Sequence, residues 1–321
     1  LIFEKFIREF VKEMFDEQYS VVLGLCCLNT ELRKKNVFCS RTTPRSHYTV
    51  NKAKDLSLKN LADAETMMKW NHKHGITHFR LSSDMFPHYT DTEVESYDMT
   101  FADDALRSAG ACAREYFQRI TMHPGQFNQI GANKQEVFDK TVSDLSMHAE
   151  ILDRMGTDPA QSILCIHGGG LYGDKEQTLH RWVRQFDDLP GAVKRRIAIE
   201  CCEKCYSIKD CLHLSEECKI PVILDTHHDT CYRQLHPNHG LEAVEEYLPE
   251  VVESWRGVSP IFHVSEQRPG ARVGAHSDYI ENIPEYLLRL PDEIRMDVSI
   301  EVEAKEKEKA IFQLRQKYKC H

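Results

Sequence analysis

The chain has 321 residues, 41% apolar and 28% charged, with 41 Lys and Arg against 50 Asp and Glu for a net charge of −9. No apolar stretch approaches the roughly 20 residues that a membrane helix requires, and the composition is that of a globular protein. The acidic balance disfavours a polyanionic partner for the surface as a whole, although bound divalent ions would reverse the field wherever acidic side chains held them.

The first seventeen residues carry Phe3, Phe6, Ile7, Phe10, Val11, Met14 and Phe15, interrupted by Glu4, Lys5, Arg8, Glu9, Lys12, Glu13 and Asp16. That pattern predicts an amphipathic helix and lacks the continuous apolar core of a signal peptide. We read residues 1–19 as a helical extension packed on the outside or floor of the main domain, and 20–321 as that domain. Eight runs rich in apolar and β-branched residues follow: Val21 to Leu28, Thr77 to Leu81, Arg119 to Met122, Ser162 to Ile166, Arg196 to Ile199, Pro221 to Leu224, Pro260 to Val264 and Met296 to Val302. Segments of helical period alternate with them, at about 56–74, 100–117, 134–154, 175–188, 207–218, 241–254, 279–289 and 305–318. Thr100 and Ser207 stand where helix starts are expected. Eight βα units predict an α/β protein of the (β/α)8 TIM-barrel class, in one domain. The longest irregular stretches, 29–54, 84–99 and 265–278, all follow strands and so belong to the rim where substrates bind.

Most of the strand runs lead into a side chain of metal-ligand type. His123, His167, Glu200, Asp225, His263 and Glu303 are separated by 25 to 44 residues, the length of a βα unit, and His228 and His276 fall in the loops that follow two of these strands. A parallel barrel delivers the carboxyl ends of its strands to one rim, so these eight converge there. A lone histidine at a strand end is usually structural; five of them with three carboxylates on one rim point to a multinuclear metal centre. Glu200, buried at the barrel mouth, needs a cation or base beside it and is expected to bridge two metals. His227 is the alternative to His228. His167 precedes Gly168, Gly169 and Gly170, whose missing side chains leave room for a metal or for close backbone approach. Imidazole and carboxylate without thiolate suits Mn²⁺, Zn²⁺, Fe²⁺ or Co²⁺, and eight ligands suit two or three ions, which can clamp both oxygens of an in-line phosphoryl displacement.

The twelve cysteines are scattered, several of them (Cys26, Cys27, Cys165, Cys201) inside apolar runs where a thiol serves as a small hydrophobe. Cys202 and Cys205 form a CxxC without a second pair at zinc-ribbon spacing, which argues against a structural zinc. Without a secretory signal, a reducing intracellular compartment is expected. Basic groups Arg33, Lys34, Lys35, Arg41, Arg45, Arg268 and Arg272 follow the first and seventh strands, on the rim that carries the ligands.

At these residues the chain resembles the UV damage endonuclease family, barrel enzymes related to endonuclease IV that nick DNA 5′ to ultraviolet photoproducts. The resemblance spans about Leu23 to Lys309. It rests on Leu-Gly-Leu-Cys-Cys-Leu-Asn (23–29), Phe-Arg-Leu-Ser-Ser-Asp-Met-Phe-Pro (79–87), Met-His-Pro-Gly-Gln-Phe (122–127), Ile-His-Gly-Gly-Gly (166–170), Ile-Glu (199–200), Leu-Asp-Thr-His-His (224–228), Gly-Ala-His-Ser-Asp-Tyr-Ile (274–280) and Glu-Ala-Lys-Glu-Lys-Glu (303–308). Singly most of these are loose; in this order they are specific.

The resemblance implies a DNA repair endonuclease acting on damaged duplex as a monomer, in a compartment that holds DNA (the nucleus in a eukaryote). Its metals, commonly manganese with zinc or cobalt as alternatives, would be held by His123, His167, Glu200, Asp225, His228, His263, His276 and Glu303, with Glu200, His123, His167, Asp225 and Glu303 closest to the chemistry. Gln126 and Phe127 match a pair that probes the duplex at the lesion, Asn29 matches a rim asparagine and is grouped with them as a DNA-probing residue, and Asp91 aligns loosely with a further family histidine. Cyclobutane dimers and 6-4 photoproducts are the implied lesions, with abasic sites a further candidate, and the products would be a 3′-hydroxyl and a 5′-phosphate. Two positions depart from the family: Leu25 stands where Tyr is frequent, and Ile261 where a Lys is frequent two residues before the histidine of strand seven. The rival readings are a xylose isomerase-like sugar isomerase, whose site would be dominated by carboxylates, and a catalytically weakened lesion-binding protein.

Overall fold

A computed structural model describes residues 19–318 and 320, so the predicted amphipathic segment 1–17 lies outside the described residues. The eight strands are β1 (Val21–Cys26), β2 (His78–Leu81), β3 (Arg119–Met122), β4 (Leu164–His167), β5 (Ile197–Glu200), β6 (Val222–Ile223), β7 (Ile261–Val264) and β8 (Val298–Val302). The helices are α1 (Thr30–Lys34), α2 (Val50–Lys73), α3 (Asp103–Glu115), α4 (Gln135–Met155), α5 (Lys175–Asp187), α6 (Gly191–Lys194), α7 (Ile208–Cys218), α8 (Thr226–Leu235), α9 (Leu248–Ser254), α10 (Glu285–Ile294) and α11 (Glu308–Tyr318). All strand pairs are parallel, in the order β6-β5-β4-β3-β2-β1-β8-β7. Between β6 and β7 the ring is closed by a single parallel bridge, Asp225 to His263, with the His263 N–H donating to the Leu224 carbonyl at 3.1 Å. The architecture is the predicted TIM barrel.

Several helices begin where local chemistry sets them rather than where periodicity does. The Thr49 side chain accepts the Lys52 N–H and starts α2 six residues before the predicted 56. The predicted helix at 279–289 is displaced to Glu285–Ile294. Pro284 disfavours helical torsions at Ile283, so the helix starts only after the proline. In 241–254 the first turn is a 3₁₀ segment, Val244–Tyr247, before α9. Ser207 does cap α7, in a reciprocal box with Asp210. The short helices α1 and α8 occupy stretches read as loop.

Residues two apart on a strand share a face, and the inward faces of this barrel divide into two halves. Ile163, Cys165, Ala198, Ile223 and Ile261 form an apolar cluster with Trp255, whose indole N–H donates to the Val222 carbonyl at 2.9 Å. Ile261 is therefore a fully buried part of this apolar layer. The other half is polar. Glu301 lies 3.0 Å from His78 Nε2, accepts from Arg80 at 2.9 Å and from Thr121, and is 1% exposed. Gly24 makes room for this network, since a Cβ there would stand 3.0 Å from the His78 ring. The outward faces, Leu23, Leu25, Phe79, Ile166, Ile199 and Val302 among them, pack beneath the helices in the main core.

Candidate metal centre

Glu200 ends β5 and is wholly buried. Four imidazoles surround its carboxylate: His123 Nε2 at 2.9 Å and His167 Nε2 at 3.6 Å face Oε2, while His228 Nδ1 and His263 Nδ1 each lie 3.1 Å from Oε1. These rings come from the ends of β3, β4 and β7 and from the first turn of α8. Their centroids stand 5.1 Å apart for His123 and His167, and 5.4 Å for His167 and His228.

Glu303 follows β8 and forms a second focus. Its carboxylate pairs with Arg80, lies 3.6 Å from His263 Nδ1 and lies 3.4 Å from His276 Nδ1. Asp225 caps α8: its Oδ1 accepts the His227 and His228 N–H groups at 2.7 and 2.8 Å. That cap fixes which histidine faces inward. His228 turns to Glu200, whereas His227 lies against Cys231 at 3.6 Å.

The eight predicted ligands thus converge on one rim, and seven of them, with Cys165, fall in three overlapping groups of donor atoms: His123, Cys165, Glu200 and His263; His167, Glu200 and His228; Asp225, His263 and Glu303; a fourth joins Glu303 to Cys26 and Glu301. His276 joins through Glu303. The residues fit a divalent cluster by their own unsatisfied atoms. Asp225 Oδ2 and His167 Nδ1 are buried without a hydrogen-bond partner among the described residues, which is costly unless something else engages them.

Without a metal, the imidazoles themselves balance the buried carboxylates. Burial would raise the Glu200 carboxyl, but the His263 and His167 charges and hydrogen bonds from His123 and His228 hold it well below the usual range. Burial would lower His228, yet Asp225 and Glu200 lift it to about 11, so a metal bound there would displace a proton. Burial dominates at His167 and lowers it to about 4, the neutral form that a metal needs. Burial likewise raises Asp225, while Arg80 and His263 overcome it at Glu303 and hold that carboxyl low.

Above Glu200 opens a cavity of about 310 Å³ lined by His123, His167, His228, His276, Glu303 and Arg80, and walled by Cys27, Gln126, Glu203, Lys204, Arg272 and Val273. Gln126 and Phe127 project from the loop after β3, with Phe127 63% exposed. Asn29 is different: it is fully buried, and its Oδ1 accepts the Leu32 N–H to cap α1. Asp91 is not part of the cluster; it pairs with Arg45 and His88 in a neighbouring cavity. Of the basic groups, Arg41 is tied to Asp63 at 2.6 Å, Lys35 to Glu31 at 2.7 Å and Arg45 to Asp91 and Glu93, leaving Arg33, Lys34, Arg268 and Arg272 exposed and without an ion-pair partner among the described residues. The glycine run after His167 serves packing: a Cβ on Gly168 would meet the Tyr206 ring at 2.4 Å.

Sequence reasoning missed the support beneath the cluster. Glu301 presents Oε2 3.1 Å from His263 Nε2, Arg80 bridges Glu301 and Glu303, and the Cys165 thiol lies 3.2 Å from Glu200. A signal was present, because Glu301 and Glu303 are two apart and must share the inward face.

The sequence profile of the family described as UV-endonuclease UvdE matches residues 21–320. A provisionally named UV-damage endonuclease of Acanthamoeba polyphaga mimivirus is 36% identical, over 94% of this chain and 92% of its own length. The UV-damage endonuclease of Schizosaccharomyces pombe is 35% identical over 92% of this chain, which spans about half of that protein (50%). The crystal structure of SacUVDE superposes with a TM-score of 0.81 at 28% identity, covering 94% of this chain and 100% of that one. An L-ribulose 3-epimerase reaches a TM-score of 0.51 at 11% identity, covering 80% of each chain, a likeness of fold alone.

Proposed function

The chain belongs to the UV-endonuclease UvdE family of DNA repair enzymes, and from that premise we propose that it nicks duplex DNA 5′ to ultraviolet photoproducts, leaving a 3′-hydroxyl and a 5′-phosphate. The observation that carries this reading is the ring of four imidazoles around buried Glu200, beneath a cavity bordered by Gln126 and Arg272. We assign metal ligation to His123, His167, Glu200, Asp225, His228, His263, His276 and Glu303, for two or three divalent ions, manganese foremost. Bound there, such ions supply positive charge to both the attacking and the leaving oxygen of the scissile phosphate.

The chain's own residues do the rest. Exposed Phe127, next to Gln126, enters the stack where a photoproduct has already weakened it, so turning the lesion out costs less than the few kcal/mol of an intact pair. Arg33, Lys34, Arg268 and Arg272 meet backbone phosphates and set the register. Asn29 acts indirectly, holding α1 and its basic residues at the rim. His167, kept neutral by burial, remains a donor at pH 7. The catalytic unit is the single barrel of residues 20–321, acting as a monomer, with 1–19 as an extension. No helix among the described residues is long and apolar enough to cross a membrane.

The test is nicking of supercoiled plasmid, irradiated against untreated, with Mn²⁺ and with Glu200→Ala as control. Nicking confined to irradiated plasmid and abolished in the variant supports the proposal. Binding of irradiated DNA without cleavage would favour a lesion-binding protein, and absence of binding would remove DNA as the substrate.

A further inference from the structure

The loop between β5 and α7 holds two thiols that the nuclease reading does not use. Cys202 is buried and Cys205 partly exposed. The turn between them is tight: the Cys202 N–H donates to the Tyr206 carbonyl at 2.9 Å, and the N–H groups of Cys205 and Tyr206 both donate to Cys202 Sγ at 3.2 Å. Two backbone donors converge on the Cys202 sulfur and hold the turn closed, and of the two thiols Cys205 is the one open to solvent. The neighbouring Cys202 thiol, set against burial, brings Cys205 down to about 7. The residues between the pair, Glu203 and Lys204, form part of the wall of the metal cavity.

We propose that Cys202 and Cys205 are a reversible oxidation site, joined as a disulfide by low-molecular-weight disulfides of the glutathione class. The Cys205 thiolate attacks one sulfur of the small disulfide, whose S–S bond breaks and releases one thiolate. Cys202 then loses its proton to that thiolate and attacks Cys205 Sγ, releasing the second. Two protein thiols are oxidised and one external disulfide is reduced to two thiols. The product fixes the turn covalently below Glu203 and Lys204, so the redox state of the solution reaches the wall of the cavity.

The experiment treats the full chain with oxidised glutathione, blocks the remaining thiols and digests with trypsin. Cleavage after Lys204 leaves peptides 197–204 and 205–209 joined only if the pair has oxidised. The link should form in the wild type, persist in Cys201→Ser, vanish in Cys202→Ser and reverse on reduction. Independently, iodoacetamide at pH 7 should label Cys205 at least about tenfold faster than the partly exposed Cys27. A missing link, a link that survives Cys202→Ser, or equal labelling would overturn the proposal. None of these readouts needs nuclease activity, so failure here and failure of the DNA reading are separable.

Discussion

Glu301 Oε2 lies 3.1 Å from His263 Nε2, on the opposite side of the imidazole from Glu200. A carboxylate behind a ligand imidazole fixes its ring and raises its basicity. Glu301→Gln should therefore weaken Mn²⁺ binding by about 10- to 100-fold in calorimetric titration while the other ligands remain in place. Unchanged affinity would mean that His263 does not hold metal.

Phe127→Ala tests the wedge. The ring is 63% exposed, so its loss should shift stability by no more than about 0.5 kcal/mol. Its stacking on a base is worth about 1–3 kcal/mol, so preference for irradiated over untreated duplex should fall roughly tenfold or more in a binding titration. Equal loss on both DNAs would assign Phe127 to general affinity instead.

Arg272 stands at the cavity wall, exposed and free of any ion pair among the described residues. If it meets one phosphate, Arg272→Ala should reduce the slope of log affinity against log salt by about 1, with lesion preference preserved. A slope identical to the wild type would place Arg272 off the DNA path.

Acid sensitivity follows from Asp91. Burial pushes its carboxyl up, but hydrogen bonds from His88 and Arg45 prevail and bring it to about 2. A folded value below the unfolded one contributes stability above about pH 4, lost as pH falls toward 2. Asp91→Asn should lower the melting temperature at pH 6, and the gap to wild type should narrow as pH drops through that window. A gap independent of pH would assign the effect to packing.

How much of this could be read from the chain is itself a physical matter. The strands were legible because each is a compact apolar run ending in a polar side chain, and the ligands because a parallel barrel turns strand ends into neighbours. The choice of His228 over His227 was not, since it depends on Asp225 capping a helix in a segment too polar to show helical period. The network of His78, Arg80 and Glu301 was hidden for a related reason: charge inside a barrel is compensated by residues distant in sequence, and no local pattern records the pairing. The resemblance groups Asn29 with the DNA-probing residues, and nothing local in the sequence signals that capping a short helix buries it.

Seven of the eight seams of this barrel are laced by strand ladders, and the eighth is one link between Asp225 and His263. The β3–β4 seam is nearly as lightly laced, through Met122 and Leu164, whereas the β1–β8 seam carries five registered pairs. Both residues of the closing link are candidate ligands, so the barrel is shut by the same two residues that would hold a cation. A cation gripped by that pair would fasten the ring as well as fill the site.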